Sequence, residues 1–154
     1  MVGGSYEAYA GLSVSGGGDV DGDDLDDILI GATYNDDGGN RAGKAYLILG
    51  SSLGTDSSID LADADYSFTG ENLDDYLGES VSWAGDIDDD GLDDILLGAP
   101  GNNDGGSLAG KVYLILGSSL GTDSAFDLAD ADHSFVGESY YADRAGDSVS
   151  GAGD

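Results

Sequence analysis

The chain says the same thing twice, and any fold it adopts must accept one unit in two places. Residues 47–68 read LILGSSLGTDSSIDLADADYSF, and residues 114–135 read LILGSSLGTDSAFDLADADHSF. Only Ser58/Ala125, Ile59/Phe126 and Tyr66/His133 differ, and Leu47 answers to Leu114, 67 positions on. The same step carries Asp19-Val-Asp-Gly-Asp-Asp-Leu-Asp-Asp27 onto Asp86-Ile-Asp-Asp-Asp-Gly-Leu-Asp-Asp94, and Ile28-Leu-Ile-Gly-Ala32 onto Ile95-Leu-Leu-Gly-Ala99. A repeat of this length is one supersecondary unit stacked on its neighbour. A third copy begins at Gly146-Asp-Ser-Val-Ser-Gly-Ala-Gly-Asp154, which matches Gly78 to Asp86 and Gly11 to Asp19. The opening Val2-Gly-Gly-Ser-Tyr6 likewise resembles Val136-Gly-Glu-Ser-Tyr140.

Within a unit the pattern is β. Ser80-Val-Ser-Trp83 alternates, Asp94-Ile-Leu-Leu-Gly98 is a short apolar run, and Lys111-Val-Tyr-Leu-Ile-Leu-Gly117 is the strongest strand. Its unbroken apolar stretch suits a sheet covered on both faces. His133-Ser-Phe-Val-Gly137 is a fourth, weaker strand. Gly, Asn, Asp and Ser fill the gaps as turn chemistry requires. Leu61-Ala-Asp-Ala-Asp65 suits one helical turn, and no long helix is expected. The fold class is therefore all-β. Four short antiparallel strands per repeat is the pattern of a β-propeller blade, with two full repeats and a partial third. Tyr46 and Tyr113 recur inside the strongest strand and are expected in the core, and Trp83 is expected to serve local packing.

Charge sets limits on partners. Thirty-two acidic residues against 4 basic ones give a formal net charge of −28. Such a chain repels phosphate backbones and anionic lipid, so neither nucleic acid nor membrane insertion is expected. Apolar clusters such as Tyr46-Leu-Ile-Leu49 argue against disorder. With no Cys there is no disulfide scaffold and no thiolate site. Arg41, Lys44, Lys111 and Arg144 are too scattered for a phosphate clamp. Ser, His and Asp form no recognisable triad, and His133 stands where the other copy has Tyr66.

The chemistry sits in Asp19-x-Asp21-x-Asp23-x-Leu25-x-Asp27 and Asp86-x-Asp88-x-Asp90-x-Leu92-x-Asp94. Oxygens at alternating positions of a tight loop converge on one point. Calcium takes 6–8 oxygens at about 2.3–2.6 Å and tolerates irregular geometry. Four carboxylates, the Leu25 or Leu92 carbonyl and a water supply that shell, so two calcium sites are expected. Magnesium demands stricter octahedral geometry. Zinc has no thiolates and one His to draw on. An EF-hand would need Glu at position twelve, where Ile30 and Leu97 stand. A β-roll would repeat every nine residues or so. Without metal the crowded carboxylates raise one another's pKa, so binding should couple to folding. Gly91 occupies the sixth position of the second loop, where a left-handed turn is favoured, and Asp24 holds it in the first. On that ground the first site is expected to be weaker or distorted.

The string Leu77-Gly-Glu-Ser-Val-Ser-Trp-Ala-Gly-Asp86 running on through Asp94 to Gly98-Ala99-Pro100 resembles an FG-GAP repeat. Such repeats form the blades of the integrin alpha-subunit β-propeller and occur in many bacterial surface proteins. Leu77-Gly78 stands where the family has Phe-Gly, and the first copy departs further, with Ala10-Gly11 and Gly31-Ala32-Thr33. The resemblance implies a first blade over 1–77, a second over 78–145, and the first strand of a third over 146–154. It places the calcium loop between the first two strands of each blade, with Asp154 an orphan first ligand. It implies an extracellular or cell-surface protein, non-catalytic, used in adhesion or in recognising a protein or glycan. No secretory signal stands at Met1-Val-Gly-Gly4, so an exported protein would carry it outside this chain. Family ligands bind opposite the calcium loops, which points to 70–77 and 101–108, with Tyr76, Asn102, Asn103 and Asp104; ordinary polar turns would look the same. Two rival roles are a structural repeat scaffold and the accessory propeller of a secreted hydrolase. The family's rings usually hold seven blades. Two blades need others from a longer parent chain, which the break inside a third Asp loop favours, or from self-association with the end strand completing a neighbour's blade.

Overall fold

The computed structural model describes residues 8–54, 58–138 and 142–152. Its long elements are all strands, arranged in two sheets. The first sheet holds β1 (Ala10–Gly18), β2 (Asp27–Ala32), β3 (Lys44–Ile48) and β4 (Tyr66–Thr69), each antiparallel to the last. The second holds β5 (Ser80–Gly85), β6 (Asp94–Ala99) and β7 (Lys111–Ile115), with β9 (His133–Val136) at its edge. These are the four strands expected per unit, in meander order, and the architecture is that of consecutive propeller blades. The 61–65 segment and its counterpart form single 3₁₀ turns, Leu61–Asp63 and Leu128–Asp130. Each is capped by the preceding Asp: Asp60 accepts from the Ala62 amide and Asp127 from the Ala129 amide, both at 3.0 Å.

One element was not foreseen. β8 (Ala125–Phe126) leaves its own unit and pairs in parallel with the outer edge of β4, Ser67 opposite Ala125 and Phe68 opposite Phe126. The Ser67 amide donates to the Ser124 carbonyl at 2.7 Å. The edge of the first sheet is thereby closed by the second unit. The counterpart residues Ser58 and Ile59 form no strand.

The core lies between the sheets. Leu29, Leu47 and Phe68 point to the second sheet, and Ile95, Leu97, Tyr113 and Ile115 point back; all are 0% exposed. Strand alternation then turns Ile28, Ile30 and Tyr46 to the other side of the first sheet, where they are half-buried. Tyr113 is thus core as expected, but Tyr46 is not, because among the described residues no blade lies on its side of the first sheet. Near the inner end, β1 runs beside β5. There Trp83 lies flat on Gly18, where a Cβ would come within 2.2 Å of the ring. The packing role expected for Trp83 holds, and it explains why Gly18 has no side chain.

Residues 146–152 cross β5 and β6 without forming a strand. The first strands of the two blades owe their extended form to the hairpin partners β2 and β6, and this stretch has none. Asp154 and the opening 2–6, with Tyr140 of its match, lie outside the described residues.

Candidate metal centre

Each Asp loop joins the first and second strands of its blade, and its backbone is tied by its own carboxylates. In the first loop, Asp19 Oδ1 accepts from the Gly22 and Asp23 amides at 2.8 and 3.1 Å, and Oδ2 from the Asp24 amide at 2.9 Å. In the second, Asp86 accepts from the Asp90 and Gly91 amides at 3.0 and 2.8 Å. Asp23 and Asp90 each accept from the amide two residues on, at Leu25 and Leu92, 2.9 Å in both cases. These Asx-type bonds turn the chain tightly enough to bring alternate side chains together. The buried Asp27 and Asp94 pin the loop to its blade. Asp27 accepts from the Val20 and Gly50 amides, both at 2.8 Å, and Asp94 from those of Ile87 and Gly117 at 2.8 and 3.0 Å.

The carboxylates of Asp19, Asp21 and Asp27 have oxygens within 4.8 Å of one another, as do those of Asp86, Asp88 and Asp90. Asp23 stands outside the first trio and Asp94 outside the second. The donor set is all hard oxygen, with no His or Cys, and suits a dication such as calcium. Burial, and then the charge of Asp23, pushes the Asp21 carboxyl above its ordinary range. Burial does the same to Asp27, against the pull of two amides. Asp88 is raised by desolvation and then by Asp90, Asp94 and Asp86. Clusters that resist full ionisation alone gain from a positive ion among them.

The first loop is not the more distorted one in backbone form. Positions four and six are left-handed in both: Gly22 and Asp24 at φ +74° and +64°, Asp89 and Gly91 at +60° and +91°. Each loop has one Gly and one Asp at these two positions, in opposite order. Gly22 offsets Asp24 in the first loop as Gly91 offsets Asp89 in the second.

Sequence reasoning also passed over Asp93. Its Oδ2 accepts from the Asp19 amide and its own amide donates to the Asp19 carbonyl, both at 2.9 Å. The second loop is thereby clipped to the head of the first. The doubled Asp before each second strand, Asp26-Asp27 and Asp93-Asp94, was the available signal.

The loops at the other end are largely occupied with themselves. Asn102 is 0% exposed and its Nδ2 donates to Asp75 at 3.1 Å. Burial raises the Asp75 carboxyl, whose Oδ1 has no partner among the described residues. Asn103 accepts from the Leu108 amide, Asp104 holds Lys111 at 2.8 Å, and Tyr76 lies under Arg41. Of the four candidate contact residues, Asn102 is closed to any ligand. All four basic residues are in ion pairs: Arg41 with Asp74, Lys44 with Asp37, Lys111 with Glu71 and Asp104, Arg144 with Asp147.

Comparison with known proteins agrees with this geometry. The family model for the FG-GAP repeat matches residues 10–48 and 77–115, which are the first three strands of each blade with the Asp loop. Integrin alpha-PS2 of Drosophila melanogaster is 34% identical over 123 residues, covering 77% of this chain and 8% of that protein. Integrin alpha-5 of Xenopus laevis is 33% identical over 123 residues, 76% of this chain and 11% of its own length. Integrin alpha-4 of the same species is 29% identical over 122 residues, 77% of this chain and 11% of its own. The chain thus spans about a tenth of the length of the curated relatives it matches.

Proposed function

We propose, since the chain belongs to the FG-GAP repeat family, that its two Asp loops bind calcium and hold a non-catalytic propeller module used in adhesion or ligand recognition. The observation that carries this reading is a carboxylate trio in the equivalent loop of each blade, its oxygens within 4.8 Å of one another. Asp19, Asp21, Asp23, Asp27 and the Leu25 carbonyl would hold one ion. Asp86, Asp88, Asp90, Asp94 and the Leu92 carbonyl would hold the other. The ion neutralises charge that otherwise works against the loop. Asp27 and Asp94 pass its grip to the sheet through the amides that follow β3 and β7.

Similarity to integrin alpha subunits supports a place outside the cell or on its surface, where calcium of order 10⁻³ M suits weak sites. Among the described residues no helix is long and apolar enough to cross a membrane. A structural repeat scaffold is the second reading, and the near-identity of 47–68 and 114–135 favours it. Divergent outer loops on further blades would speak for recognition, and uniform ones for a scaffold.

Calorimetry tests the metal. Two sites should fill, and calcium at ten times its Kd should add about 1.4 kcal/mol of stability per site. Asp86→Ala should leave one site filling. No uptake, together with a melting temperature indifferent to chelator, overturns the reading.

A further inference from the structure

The contact between the two blades uses one surface on each, and the same two surfaces recur, uncovered, at opposite ends of the molecule. On the first blade the covered side is apolar: Val20 is 2% exposed and Phe68 is 0%. At the same positions of the second blade, Ile87 is 55% exposed and Phe135 is 56%. The other half of the contact behaves likewise. Tyr113 and Ile95 are 0% exposed, whereas their counterparts Tyr46 and Ile28 are only half-buried.

The polar parts of the contact are also duplicated. Glu71, just beyond the end of the first blade's β4, reaches across to Lys111 at 3.0 Å and accepts a hydrogen bond from the Tyr113 hydroxyl. Its repeat counterpart Glu138 is exposed at the far end. At the near end, among the described residues, Lys44 pairs with Asp37 alone, 2.7 Å away, and the Tyr46 hydroxyl has no partner. The edges correspond too. β8 closes the edge of β4, yet among the described residues nothing pairs with the outer edge of β9, nor with Ser58 and Ile59, the counterparts of β8; Ile59 is 37% exposed.

We propose that a second copy of this chain docks head to tail, its first blade on the second blade of its neighbour. Ser58 and Ile59 of the incoming copy add to the open edge of β9, and Glu138 meets the incoming Lys44 and Tyr46. The contact continues, by one more repeat, the interface inside each molecule. It buries Phe135 and Ile87 as Phe68 and Val20 are buried now. One segment must yield. Residues 146–152 read Gly-Asp-Ser-Val-Ser-Gly-Ala, close to Gly-Leu-Ser-Val-Ser-Gly-Gly at 11–17. They already lie on the second blade, Gly146 accepting from Ser80 Oγ at 2.8 Å. This tail therefore replaces β1 against β2 of the incoming copy. Each copy carries a net charge of −28, so added salt should strengthen the association.

The contact needs two different faces, and that is its test. Phe135→Asp spoils the tail face and Ile59→Asp spoils the head face; both side chains are exposed, so both variants should fold, as circular dichroism checks. Sedimentation velocity of the full chain, in calcium and raised salt, should show concentration-dependent association of the parent. Each variant alone should sediment as a monomer, and an equimolar mixture should form a dimer and nothing larger. Lys44→Glu or Glu138→Lys alone should weaken association at least about tenfold, and both in one chain should restore it. A parent that is monomeric at all concentrations overturns the proposal. So does self-association of either Asp variant at the parent's strength. Docking is separate from metal binding: a chain that takes up calcium and stays monomeric loses this proposal alone, and one that associates but takes up no calcium loses the other alone.

Discussion

The two blades share most of their strand residues and differ more in what surrounds them. Tyr113 is fully buried and hydrogen-bonded to Glu71, and Tyr46 is half-buried, its hydroxyl without a partner among the described residues. Phe68 is 0% exposed and Phe135 is 56%. Position along the chain, more than residue type, decides which copy is core. A repeat residue is therefore worth what its neighbouring unit makes it worth.

Mutating matched pairs is the way to break that statement. Phe68→Ala should cost about 3–5 kcal/mol, the usual loss for a buried aromatic ring, while Phe135→Ala should cost under about 1 kcal/mol in dilute, monomeric chain. Urea melts of the two variants measure the gap, and equal losses would mean that burial in one copy is matched by something unseen in the other. Tyr113→Phe removes a hydroxyl that donates to a carboxylate and should cost about 1.5–3 kcal/mol; Tyr46→Phe should cost nearly nothing. If Glu71→Gln is made first, the Tyr113→Phe loss should shrink, which ties it to that bond. The smallest effect concerns the Asp loops. Asp24→Gly and Asp89→Gly each relieve a left-handed Asp and should shift stability by under about 1 kcal/mol, in the same direction and by similar amounts. Unequal shifts would restore the idea that one loop is the more strained.

Much of this was readable beforehand. Four strands per unit, the 3₁₀ turns after Asp60 and Asp127, and the Asp loops between first and second strands follow from local pattern, because alternation, turn residues and spacing act over a few positions. What escaped notice depends on partners far off in sequence. β8 is two residues long, and its bonds go to Ser67 and Phe68 of another unit; by local pattern it equals Ser58 and Ile59, which make no strand. Tyr46 was misplaced for the same reason. Asp93 was overlooked since its task is to hold Asp19, 74 residues away. Asp24 is a different case: its left-handed turn is one of two in the loop, and Gly22 holds the other, so the two loops are alike in backbone form.

The borrowed strand also bears on how the molecule is made. The first sheet ends at Thr69, but the piece that shields its rim, Ala125–Phe126, emerges from the ribosome 57 residues afterwards. At elongation rates of about 5–20 residues per second, the nascent first blade waits roughly 3–11 s with its rim bare. Over that interval the growing chain is open to capture by any passing extended peptide, and slow codons between Thr69 and Ala125 would lengthen the exposure.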